Sequence, residues 1–192
     1  MTQDLQDMES DIDWEAERFL ASQDNTDEEI ERLDSILEIL GTSKTGEKIL
    51  DFVNYTLAIK NKTVTVFMDS TTCKTTRAYF SPEADFNNGH KVGLNCTYSN
   101  EYLACALAHE LVHLIQYEYL DYMKKSVNLL NMDLATKERC YAYAIWPELA
   151  AYKMTRIIAL EINLKEEELQ TIEYGQDLID MLNYRYKLQY MK

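Results

Sequence analysis

Three ionisable side chains stand inside an apolar stretch of this chain, and they restrict what it can fold into. His109, Glu110 and His113 fall between Ala106-Leu107-Ala108 and Leu114-Ile115. Burying such groups without partners carries a heavy desolvation penalty. On a helix, residues four apart lie one turn above each other on the same face, so both imidazoles can reach a single ion. A pair two apart would face opposite sides. A core helix that merely happens to hold two histidines and a glutamate is the plain alternative. The apolar flanks weigh against it, and so does the placing of two of the chain's three histidines in this one pair.

Composition fits a chain dominated by helices. Five Gly and two Pro among 192 residues are few, which favours long helices over turn-rich β structure. The length suits one domain with a sizeable core. No apolar run reaches the roughly 18 residues of a membrane span, so no membrane partner is expected. Met1 to Asp13 is acidic and lacks the basic start and apolar stretch of a signal peptide. That predicts a cytoplasmic protein, unless an unconventional export route carries it elsewhere. Cys73, Cys96, Cys105 and Cys140 form no C-x-x-C pair and read as reduced, mostly buried thiols.

Charge is concentrated at one end. Residues 1–40 carry 14 acids against Arg18 and Arg32, a net of −12 out of −14 for the whole chain. Such a head would repel phosphates, so nucleic acid is not expected as a partner. It reads as an acidic helical segment ahead of a main unit at 41–192, the two making one compact domain. A solvated helical face explains it most simply. Docking on a basic protein partner, or covering the active site as an inhibitory arm, are the functional alternatives.

Residues 11–21 and 25–40 read as amphipathic helices, the second carrying acids in its first turn and stopping at Gly41. A third helix is expected over 45–59. Thr63–Met68, Thr76–Phe80 and Lys91–Cys96 read as strands of a small three-stranded sheet, with turns at Ser81-Pro82-Glu83 and Asn87-Asn88-Gly89. Helices follow over 100–123, 134–161 and 165–190, with Pro147 inside the second and Gly175 a weak point of the third. Helices, then a small sheet, then helices predict an α+β fold.

His109-Glu110-Leu111-Val112-His113 has the H-E-x-x-H pattern of zinc enzymes. Its glutamate, beside the first ligand, would act as general base on a metal-activated water and pass the proton to the leaving amine. Zn²⁺ needs a third protein ligand and one open position. Gln116 and Tyr119 replace the Gly and His of the extended metzincin pattern, which excludes that class. His90 falls in a turn and reads as solvated. Glu148, in Trp146-Pro147-Glu148-Leu149-Ala150-Ala151-Tyr152, sits among apolar neighbours and needs a cation. That cation is either the metal or an arginine such as Arg139 or Arg156. Small Ala150 and Ala151 would let this helix approach the first one closely, and Pro147 should kink or restart it.

The H-E-x-x-H helix followed downstream by Glu-x-x-Ala resembles the gluzincin division of the zincin metallopeptidases. Ala78–Glu83, a short strand and then Leu107–Gln116 are similar to compact metallopeptidases of bacterial and phage origin. The likeness spans about residues 60–160. It implies a minimal zincin-like fold, a peptide or protein substrate, His109, His113 and Glu148 as zinc ligands, and Glu110 as base. Peptidases of this type bind substrate along a sheet edge near the metal, for which Val92, Gly93, Leu94 and Asn95 are the expected segment. Tyr152 and Arg156, one and two turns beyond Glu148, are candidates to stabilise the oxyanion, with Tyr141 and Tyr143 nearby. Two other readings compete. One is a metal hydrolase acting on a non-peptide amide, as peptide deformylase does with a cysteine ligand, although the Gly-Leu-Asn context of Cys96 does not match that family. The other is a non-catalytic acidic interaction protein on a zincin scaffold.

Overall fold

A capping box opens the first helix. Thr26 Oγ1 accepts from the Glu29 N–H at 3.3 Å, and Glu29 Oε2 accepts from the Thr26 N–H at 2.8 Å. Helix α1 (Asp27–Thr42) then buries Leu33, Ile36 and Leu40 at helical spacing. It runs through Gly41 and stops at Ser43, whose Oγ caps the next helix by accepting from the Gly46 N–H at 2.9 Å. The corner between the two is tight. A Cβ on Gly46 would lie 2.2 Å from the Leu40 carbonyl oxygen, so only glycine fits there. Helix α2 (Lys44–Lys60) ends at Asn61, which takes the left-handed conformation with φ 49°.

These elements belong to a computed structural model that describes residues 17–69, 77–82, 89–120 and 134–190. Strands β1 (Phe19–Ala21), β2 (Thr63–Met68), β3 (Ala78–Ser81) and β4 (Gly89–Leu94) form one sheet in the order β1-β2-β4-β3. The β1–β2 and β2–β4 pairs are parallel, and β3 runs antiparallel to β4. In β2 the alternating sequence puts Val64, Val66 and Met68 inside. Helices α3 (Asn100–Leu120), α4 (Leu134–Glu161) and α5 (Glu166–Tyr190) complete the described chain. The fold is α+β. One apolar cluster joins α1, α2, β2, β4, α3 and α4 through residues such as Ile36, Val53, Val66, Leu94, Leu107 and Ile158. At about 25 cal/mol per Å² of apolar surface removed from water, that burial is the main stabilising term.

Several sequence expectations change. The helix expected over 11–21 is a strand at Phe19–Ala21, while 11–16 lie outside the described residues. Three residues are too few to show a periodicity, and their conformation is set by pairing: Val64 N–H donates to Arg18 O at 2.8 Å and Ser22 N–H to Val66 O at 2.9 Å. The Asn25 side chain extends this ladder, giving to Val66 O and accepting from Met68 N–H, both at 3.2 Å. The sheet accordingly has four strands rather than three. The segment Val92, Gly93, Leu94 and Asn95 is not a sheet edge either. β4 is hydrogen-bonded to β2 on one side and β3 on the other, so it has no free edge for an added strand. The edge is β3.

His90 is neither in a turn nor solvated. It lies in β4, fully buried, with Nε2 2.8 Å from Glu118 Oε1, and Lys62 Nζ reaches the same oxygen at 2.9 Å. Phe80 and Tyr117 pack on its ring. Burial opposes ionisation of Glu118, but the hydrogen bonds and charges of Lys62 and His90 outweigh it and hold its pKa below the usual carboxylate value. A lowered folded-state pKa contributes stability that is complete above the ordinary value, 4.5, and is lost as pH falls through the folded-state value. Glu118→Gln is therefore expected to cost about 1–3 kcal/mol near neutrality. In denaturant titrations at several pH values, the gap from the parent chain should close below about pH 4.5.

Candidate metal centre

The centre is built by two helices that approach closely because small residues line their contact. Ala104 and Ala108 on α3 and Ala151 on α4 are completely buried. His109 and His113 project from successive turns of α3, their ring centroids 4.8 Å apart and their Nε2 atoms 3.1 Å apart. From α4, Glu148 brings one oxygen to each ring: Oε2 to His109 Nε2 and Oε1 to His113 Nε2, both at 3.2 Å. Taking one ligand atom from each residue, the three lie within 4.8 Å of one another.

Neighbouring side chains fix which nitrogen of each imidazole carries a proton. Gln116 Nε2 donates to the Pro147 carbonyl at 3.0 Å, so its Oε1, 2.9 Å from His113 Nδ1, must accept. Thr155 Oγ1 gives its single proton to the Ala151 carbonyl at 2.8 Å, so towards His109 Nδ1 at 3.3 Å it too can only accept. Both Nδ1 atoms therefore carry N–H, and both Nε2 atoms turn lone pairs inwards. Two lone pairs and a carboxylate converging on one point repel unless a cation lies between them. For a tetrahedral zinc site with bonds of about 2.0–2.1 Å, adjacent ligand atoms sit roughly 3.3 Å apart, close to the spacing of the two Nε2 atoms. The donor set fits a metal ion.

The charges respond to this crowding. Burial opposes ionisation of Glu148, but when the His109 and His113 rings are protonated the hydrogen bonds they donate and their charge hold its pKa well below the usual carboxylate range. Burial works against protonation of His113, yet Glu148, Glu110 and Gln116 prevail and raise its pKa. Glu110, on the flank of α3, behaves oppositely. Burial raises its pKa, and His109, His113 and a hydrogen bond from the Phe80 backbone N–H only partly offset this. That bond ties the carboxylate to β3, the edge strand.

Tyr152 stands over His109, ring centroids 4.7 Å apart, and burial and the Glu148 charge raise its pKa. A Cβ on Gly175 of α5 would come within 2.4 Å of the Tyr152 ring. The apparent weak point of α5 is thus the space that Tyr152 occupies. A cavity of about 310 Å³ opens beside His109, Glu110 and Tyr152. Arg156 is not at the centre; it pairs with Glu173 at 3.1 Å on the surface, which removes it both as oxyanion donor and as partner of Glu148. The side chains of Arg139, Tyr141 and Tyr143 lie outside the described residues. Cys96 is not in the cluster.

Sequence reading missed Gln116, Thr155 and the Phe80 N–H. Gln116 follows His113 by one turn of α3, and Thr155 follows Glu148 by two turns of α4, so helical spacing from the ligands would have found both side chains. The Phe80 contact depends on where β3 lies and leaves no such trace. No protein-family model matches this chain, and neither a curated protein nor a solved structure does so.

Gln116→Leu removes the acceptor for His113 Nδ1 and the bond to Pro147 together. It is expected to weaken zinc affinity about 10–100-fold, measured by competition with a chromophoric chelator. Gly175→Ala should push the Tyr152 ring off His109 while leaving the ligands in place, which tyrosine and histidine side-chain NMR shifts would report.

Proposed function

We propose that the chain is a zinc-dependent metallopeptidase of the gluzincin type, with His109, His113 and Glu148 as ligands and Glu110 as general base. The observation that carries this is the convergence of two inward-facing Nε2 lone pairs and a carboxylate, with a buried second carboxylate on the flank of the same helix. A bound zinc ion would supply a Lewis acid that polarises a carbonyl and acidifies a water.

Each residue then has a chemical task. Gln116 and Thr155 hold the imidazoles in the ligating tautomer. Glu110 takes a proton on its carboxylate and returns it to the leaving nitrogen, and its raised pKa suits a group that must hold a proton for part of the cycle. The Phe80 N–H fixes one side of that carboxylate. Tyr152, with its phenol kept protonated by burial, is placed to donate a hydrogen bond to a developing oxyanion beside His109. Substrate is proposed to add as a strand along β3, which among the described residues has a strand partner on one side only and sits against Glu110. This replaces β4 in that role.

Glu110→Gln is expected to keep its zinc and lose about 10²–10⁴-fold in cleavage of a quenched-fluorescent peptide library. Zinc binding together with unchanged turnover would contradict the assignment of the base.

A further inference from the structure

The cavity beside the metal centre has a feature that the hydrolytic machinery leaves unused. Arg77, immediately before β3, is one of its lining residues, together with Tyr102, Cys105, Ala106, Tyr152 and Ile172. Its backbone is fixed, since the Arg77 carbonyl accepts from the Asn95 N–H at 2.9 Å at the end of β4. Its guanidinium carbon lies 5.6 Å from the centre of the Tyr102 ring. The Arg77 charge also acts on the phenols of both Tyr102 and Tyr152, one on α3 and one on α4.

The cavity also meets His109, Glu110 and Thr155 of the metal centre; the lining around Arg77 is otherwise small, aromatic or apolar. The Cys105 thiol, pushed up to about 12 by burial, is neutral. Glu148, outside this lining, directs both its oxygens to the imidazoles. Among the described residues no carboxylate pairs with Arg77. A half-buried guanidinium held over an aromatic face, facing a cavity that opens onto the metal ligands, suits a planar oxyanion such as a carboxylate received through paired N–H donors.

We propose that this cavity is a carboxylate subsite, in which Arg77 binds an acidic side chain or the free C-terminus of a peptide whose adjacent bond lies at the metal centre. The peptide part of this statement rests on the metallopeptidase reading; the carboxylate part rests on Arg77 and the cavity.

The test is calorimetric titration of the zinc-loaded full chain with glutarate and with glutaramate, which differ by one carboxylate. Glutarate is expected to bind about 10–100-fold more tightly. Arg77→Gln should erase that ratio, and Arg77→Lys should retain part of it. Equal binding of the two compounds, or a preference that survives Arg77→Gln, would overturn the proposal. Hexapeptides carrying an internal Glu or Gln, each as a free acid or an amide, are then titrated into the zinc-loaded Glu110→Gln chain. A gain from internal Glu identifies a side-chain subsite, a gain from the free acid identifies a terminal one, and no gain from either refutes both. An Arg77-dependent preference for glutarate in a parent chain that cleaves no peptide would keep the subsite and remove the peptidase reading.

Discussion

Electrostatic convergence at the contact of α3 and α4 is the constraint on which the rest of this structure depends. Two imidazoles and one carboxylate meet at about 3 Å, their outer sides held by Gln116 and Thr155. Three such groups meeting in a partly buried site favour a cation between them. Alanines at the helix contact permit the approach, and an apolar cluster running from α1 to α4 keeps water away from its back. The edge strand β3 packs on α3 beside Glu110, and its Ala78 shares a cavity with His109.

The α1 helix shows how an acidic segment is drawn into the fold. Its solvent side carries the charge, while Leu33, Ile36 and Leu40 face the core. Arg32, the single base within it, donates to Asn100 Oδ1 at 2.7 Å, to the Cys96 carbonyl at 2.6 Å and to the Tyr98 carbonyl. These bonds pin the turn that launches α3. At the same turn Ser99 Oγ accepts from the Tyr102 N–H at 3.1 Å and donates to Glu168 Oε1 on α5 at 2.6 Å. The start of the ligand-bearing helix is therefore held from both ends of the chain.

Much of this was legible in the sequence because it is local. Helical periodicity and caps located α1, α2, α3, α4 and α5, and alternation located β2. The spacing of His109 and His113 placed both rings on one face, and the apolar surroundings of Glu148 pointed to a cationic partner. What escaped depends on distant pairing. Phe19–Ala21 is a strand only because β2 lies beside it, and β4 became interior because a short antiparallel β3 covers it. His90 looked solvated since its partners, Glu118 and Lys62, are remote in sequence. Local pattern identifies the long helices and β2; the short β1 and the choice of open edge follow from topology that no short window contains.

The most direct measurement is the metal content of freshly purified full-length protein, with X-ray absorption at the zinc edge to identify the ligands. One zinc per chain is the expected result, with nitrogen and oxygen neighbours at about 2.0–2.2 Å, two of them imidazoles, and no sulfur. A chain that takes up no zinc when it is supplied under reducing conditions, or a thiolate in its first shell, would contradict the centre described by His109, His113 and Glu148.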